Sequence, residues 1–140
     1  MTLRSLALSI HVVTAVLGLG QVAGIAVLAC STPTEASVAP ATWSALQRLT
    51  RGTTWSLPVM LASGAFLEYS VAWGHHTEPW FRLSGVLFLA LGAVLGTTRR
   101  ALRKRDSAID ERPLQPVARR AWAMCAIVAI IACLMAVKPW

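Results

Sequence analysis

Charge is scarce along this chain, and acidic charge scarcer still: six Asp and Glu stand against 13 Lys and Arg in 140 residues. All charged residues together make up 14%, against about 25% for a soluble globular domain, so water is not the solvent this composition suits. Cysteine is equally thin, three residues with no C-x-x-C pair. That excludes a disulfide framework or zinc ribbon and leaves Cys30, Cys125 and Cys133 as small apolar side chains that pack. A Gly-rich phosphate loop, a dinucleotide fingerprint and a nucleophile with an evident base are all missing, so no enzymatic signature is present.

What the chain has is apolar length. Hydrophobic residues make up 56% of it, and four stretches, 6–29, 53–73, 80–98 and 121–137, come near the roughly 20 apolar residues that a membrane-crossing helix needs. The first follows Arg4 and invites comparison with a signal peptide, but it exceeds the apolar core of about 7–15 residues that such peptides carry. It is read as a span that stays. The expectation is a single all-α domain, an integral membrane four-helix antiparallel bundle.

The net charge of +7 is distributed by topology rather than for nucleic acid, because the basic residues lack an interleaved aromatic platform. Four spans put the first and third loops on one side. That side holds Arg48, Arg51, Arg99, Arg100, Arg103, Lys104, Arg105, Arg112, Arg119 and Arg120; the other holds Arg4, Arg82 and Lys138. The positive-inside rule then puts both termini outside and the first and third loops in the cytoplasm, with a basic cytoplasmic loop over 99–120. Arg99, Arg100, Arg103, Lys104 and Arg105 are expected to anchor on anionic inner-leaflet lipids, at about 1 kcal/mol per well-placed basic residue. Trp73, Trp80 and Trp140 fall at the outer boundary and Trp55 and Trp122 at the inner one, as an aromatic belt requires.

The helix faces carry further information. At 100° per residue, His11, Thr14, Gly18 and Gln21 make one polar stripe on the first span, with Gly20 and Gly24 as a small pair roughly opposite. Pro40 suits a first helical turn, and Trp43, Leu46 and Leu49 at helical spacing predict a short amphipathic interfacial helix before the second span. An extension of the second span back across Gly52 has equal support. Pro58 predicts a kink in that span. In the fourth, Ala118, Ala121, Cys125, Ala129, Ala132 and Ala136 form a small-residue stripe suited to tight helix packing.

Ionisable groups inside a membrane mark ion paths, proton relays or cofactor sites, and His11 and Glu68 are placed one to two turns inside the outer boundary. His75 and His76 lie in the outer loop directly above. His11, Glu68, His75 and His76 therefore form the candidate metal site, with the three histidines as candidate cofactor ligands; imidazole suits copper, zinc and haem iron. A hydrogen-bonded packing pair and a proton or solute path using Glu68 are the alternatives.

The chain resembles small bacterial integral membrane proteins of unknown function, themselves distantly similar to the membrane domain of CopD-type copper-resistance proteins. The resemblance rests on His11 followed by Gly18 and Gly20, on residues 48–58 (RLTRGTTWSLP), on Trp80-Phe81-Arg82 and Arg99-Arg100, and on Trp122 with the terminal Met135-Ala-Val-Lys138-Pro139. It departs from the CopD pattern in having half as many helices and no Met-rich cluster. The resemblance implies copper handling in the envelope or inner membrane of a bacterium, so the outside termini are expected to be periplasmic. The expectation is a periplasmic-side His/Glu site for copper or haem b in envelope copper or redox homeostasis. The main alternative is a non-catalytic accessory subunit in a larger membrane complex or homo-oligomer.

Overall fold

A computed structural model describes residues 2–32, 39–71, 74–105 and 114–137. Trp73, Trp140, Lys138, Pro139, the 106–113 part of the 99–120 loop and the Arg105 side chain lie outside the described residues. Every described element is helical: α1 (Leu3–Thr14), a π-helical turn (Ala15–Leu19), α2 (Gly20–Cys30), α3 (Pro40–Ser70), α4 (Pro79–Arg105) and α5 (Gln115–Val137). The first three run on as one rod, so the described chain forms four long helices.

Local chemistry fixes several ends. Thr2 caps α1, its hydroxyl accepting from the Ser5 N–H at 3.3 Å. Pro40 opens α3 at a position where its missing N–H costs nothing. The Leu114 carbonyl accepts from the Val117 and Ala118 amides, both at 2.9 Å, to start α5.

A separate amphipathic helix before the second span does not exist; α3 is continuous from Pro40 to Ser70. Gly52 alone costs a helix only about 1 kcal/mol relative to Ala. Against that, Leu46, Thr50 and Thr53 all turn to the interior on either side of it. The helix also continues through Pro58, which is exposed.

Among the described residues three helices are long and apolar enough to cross a membrane, Leu3–Ser31, Pro79–Lys104 and Gln115–Val137, which is consistent with a multi-pass membrane protein. Length is no obstacle for α3, but its composition is more polar. Its hydroxyls are nevertheless spent inside the helix. Thr50, Thr53, Thr54, Ser56 and Ser63 each donate to a carbonyl one turn back, at 2.7 to 3.0 Å. That back-bonding is how Ser and Thr become tolerable in an apolar medium.

The core lies toward one end of the bundle. Val22, Ile25, Ala26 and Ala29 of α2 meet Leu46 of α3, Leu91, Leu95 and Leu102 of α4, and Val117, Ala118, Ala121 and Met124 of α5. Each set follows helical spacing, one face per helix. Beyond this end the outward surface is apolar: only 11% of the apolar window of α5 is buried. The small-residue stripe of α5 accordingly divides, with Ala118 and Ala121 in the core and Ala129, Ala132 and Ala136 exposed. Trp55 and Trp122 are exposed, whereas Trp80 is turned inward at 9% exposure.

Candidate functional site

The first rod and α3 pair in opposite order: Gly24 meets Leu49, Gln21 meets Gly52 and Thr53, Gly18 meets Ser56, and His11 meets Ser63. Three members of the polar stripe of the first span, His11, Gly18 and Gln21, thus face α3, and Gly24 joins them there. A Cβ on Gly18 would overlap the Ser56 side chain, and one on Gly52 would overlap the Gln21 amide. Two glycines therefore let the helices close at adjacent levels, as small residues do between helices in lipid. The π-helical turn falls here, and Gly18 is its one buried residue. Gly20 has nothing within 4 Å of where a Cβ would stand, so the Gly20/Gly24 pair does not act as a unit within the chain.

His11 Nδ1 lies 2.9 Å from Ser63 Oγ. The direction of that bond follows from Ser63, whose hydroxyl has one hydrogen and carbonyl acceptors at Val59 (2.8 Å) and Met60 (3.1 Å). With that hydrogen committed to the backbone, Ser63 Oγ accepts from His11 Nδ1–H. In the neutral imidazole the remaining nitrogen, Nε2, is then the one with a lone pair. Gly64 makes room for the ring, a Cβ there standing 3.4 Å from His11 Cε1.

Glu68 is 5% exposed and meets His75 instead of His11. Its Oε1 accepts from the His75 backbone N–H at 2.7 Å, and its Oε2 lies 3.2 Å from His75 Nδ1. The His75 ring sits against Trp80, with ring centroids 5.6 Å apart, and Trp80 meets Phe81 edge-on at 5.8 Å. Beside this, Arg82 Nε donates to the His76 carbonyl at 3.1 Å. Carboxylate, imidazole and indole together organise the α3–α4 connection.

The four candidate residues are thus divided. Ser63 and Glu68 are five residues apart on α3, about 7.5 Å along the axis and about 140° around it. That rotation carries Glu68 off the face His11 approaches, and metal–ligand bonds of about 2 Å do not bridge the gap. Among the described residues no three His, Cys, Asp or Glu side chains form a group able to hold a metal ion. His76 is exposed, and its carbonyl accepts from Arg82.

Sequence reasoning missed Ser63 and Ser56. The signal was the spacing of Leu46, Thr50, Thr53, Met60 and Ser63, which marks one inward face of α3. The cysteines make no disulfide; Cys30 and Cys133 are exposed, and Cys30 Sγ accepts from Trp122 Nε1 at 3.2 Å.

At the opposite end, Arg99, Arg100, Arg103 and Lys104 line the exposed end of α4. Comparison of the chain with protein-family models, with curated proteins and with solved structures found no match.

Proposed function

We propose that the chain is a bacterial inner-membrane protein, an antiparallel four-helix bundle with periplasmic termini, in which His11 offers one nitrogen ligand to a haem or a copper ion. The observation that carries the reading is the His11–Ser63 bond. A metal-bound imidazole characteristically donates its other N–H to a fixed acceptor, which sets the tautomer and the ring plane. Ser63 supplies such an acceptor, leaving Nε2 as the ligand atom.

The donor set fits a one-histidine site and does not fit a multi-histidine copper centre, because Glu68 and His75 are paired with each other at a different level. For copper, the soft donor on the relevant face is Met60, buried and three residues from Ser63 on α3. Such a group would bring redox chemistry; the chain's part is to fix the imidazole and exclude water.

The protein purified in mild detergent is expected to show a Soret band or near-stoichiometric copper, and His11→Ala to remove it. Ser63→Ala should weaken retention by about 10-fold or more, as loss of an outer partner to a ligating histidine does. A colourless, metal-free wild type would sink the ligand reading.

That outcome would favour the second reading, a non-catalytic accessory subunit. Its specific support is small residues on the outside: Gly20, Gly85 and Gly96 have nothing within 4 Å of a built Cβ. Lipid-facing surfaces of this kind suit close approach of another helix.

Orientation has its own test. In a background without native cysteines, Ser107→Cys should resist an impermeant thiol reagent added to intact cells and react after lysis. Labelling in intact cells would reverse the topology.

A further inference from the structure

The basic end contains a cleft that general lipid anchoring does not require. On α3, Gln47, Thr50 and Arg51 are spaced i, i+3, i+4 and share a face; on α4, Arg99, Leu102 and Arg103 do the same. The two triplets line one open cleft of about 180 Å³. Thr50 and Leu102, 1% and 2% exposed, form its closed side, and the three arginines are exposed at its rim.

Three guanidiniums around one small space repel one another unless an anion stands among them. Among the described residues no carboxylate pairs with Arg51, Arg99 or Arg103; the ion pair found there is Glu68–His75, which belongs to the α3–α4 connection. The Thr50 hydroxyl hydrogen is committed to the Leu46 carbonyl at 2.7 Å, so its oxygen does not supply a donor. The donors left are the guanidinium forks and the Gln47 amide. Planar forks suit phosphate oxygens, two at a time, better than any point charge does.

We propose that this cleft between α3 and α4 is a phosphate-binding site, and that it takes the phosphate of an anionic phospholipid headgroup. The lipid source follows from position: Arg99 directly succeeds the apolar run of α4, where headgroups stand if that helix crosses the bilayer. The proposal rests on the membrane placement above and is independent of any ligand on His11. It also differs from diffuse attraction, because Arg51 comes from another helix and Arg100, equally basic and adjacent, lies outside the cleft.

The test is native mass spectrometry of the detergent-purified chain with added phosphatidylglycerol or phosphatidylcholine, and with inorganic phosphate alone. Wild type is expected to retain one phosphatidylglycerol in preference to phosphatidylcholine. The triple variant Arg51→Gln/Arg99→Gln/Arg103→Gln should lose about 100-fold in affinity, about fivefold per basic residue. A triple Lys variant guards against misfolding: it keeps the charge and should recover only part of the binding. A control triple, Arg4→Gln/Arg48→Gln/Arg119→Gln, removes as much charge at exposed positions outside the cleft and outside the anchoring set of α4, and should bind as wild type does. Stoichiometric inorganic phosphate displaced by the same cleft substitutions, without lipid retention, would uphold the phosphate site and overturn the lipid source. Equal loss in cleft and control triples, or no preference for the anionic lipid, would overturn the site.

Discussion

Gly18→Leu should part the first rod from α3 and cost the fold more than any other single substitution on that interface. A Cβ at position 18 overlaps Ser56 Cβ, which is one bond from the backbone and has no rotamer that takes it away. The helices themselves must move apart, and His11–Ser63 and Gln21–Thr53 are strained by the same displacement. Overpacking of a well-fitted interior typically costs about 1–3 kcal/mol for added methylene groups, and Leu adds four carbons where none fit. Gly18→Ala should fall within that range, and Gly18→Leu at or beyond its top. Two neighbours calibrate the result. At Gly52 the obstacle is the far end of the flexible Gln21 side chain, which can swing aside, so Gly52→Ala should be milder. Gly20 faces open space and Gly20→Leu should be nearly silent in the monomer. Thermal unfolding in detergent ranks the four variants, and equal midpoints for Gly18→Leu and Gly20→Leu would refute the close-approach account.

That contrast also marks what sequence can and cannot reveal in a chain of this kind. The stripe of His11, Thr14, Gly18 and Gln21 was legible because helical periodicity alone puts these residues on one face, and polar groups in an apolar helix must turn toward protein. The long apolar helices were legible from composition. The partner of His11 was not. Depth in the membrane suggested Glu68, since both were placed near one boundary, but depth says nothing about rotation. Five residues of α3 separate Ser63 from Glu68 and turn them about 140° apart, so a serine with an ordinary backbone bond outcompeted a carboxylate for the imidazole. The continuity of α3 was one of two equally supported readings, undecided for a related reason. Gly52 reads as a break when taken alone, and its use as the seat of the Gln21 amide is visible only once the two helices are docked. The inward turn of Trp80 was equally beyond a boundary argument, because His75 supplies the ring it packs against.

Glu68→Ala should loosen the α3–α4 connection and expose Trp80. The carboxylate is 5% exposed and each oxygen has one partner, the His75 N–H at 2.7 Å and His75 Nδ1 at 3.2 Å. Truncation leaves a backbone donor without its acceptor, at about 1–3 kcal/mol for an unsatisfied buried group. The ring bond adds less, because the His75 side chain is 42% exposed and water replaces the lost partner. An expected total of about 2–3 kcal/mol follows. Glu68→Gln keeps a carbonyl oxygen for the His75 amide and sacrifices mainly the charge assistance, so about 1 kcal/mol is expected. His75→Ala removes the ring but not the backbone N–H, and should lie between the two. The local readout is the indole of Trp80, packed on the His75 ring with centroids 5.6 Å apart. Its emission, taken as the difference between the chain and its Trp80→Phe variant, should shift to longer wavelength in Glu68→Ala and His75→Ala and stay near wild type in Glu68→Gln. If Ala and Gln at position 68 unfold alike and leave that emission unchanged, the carboxylate is not what holds the connection.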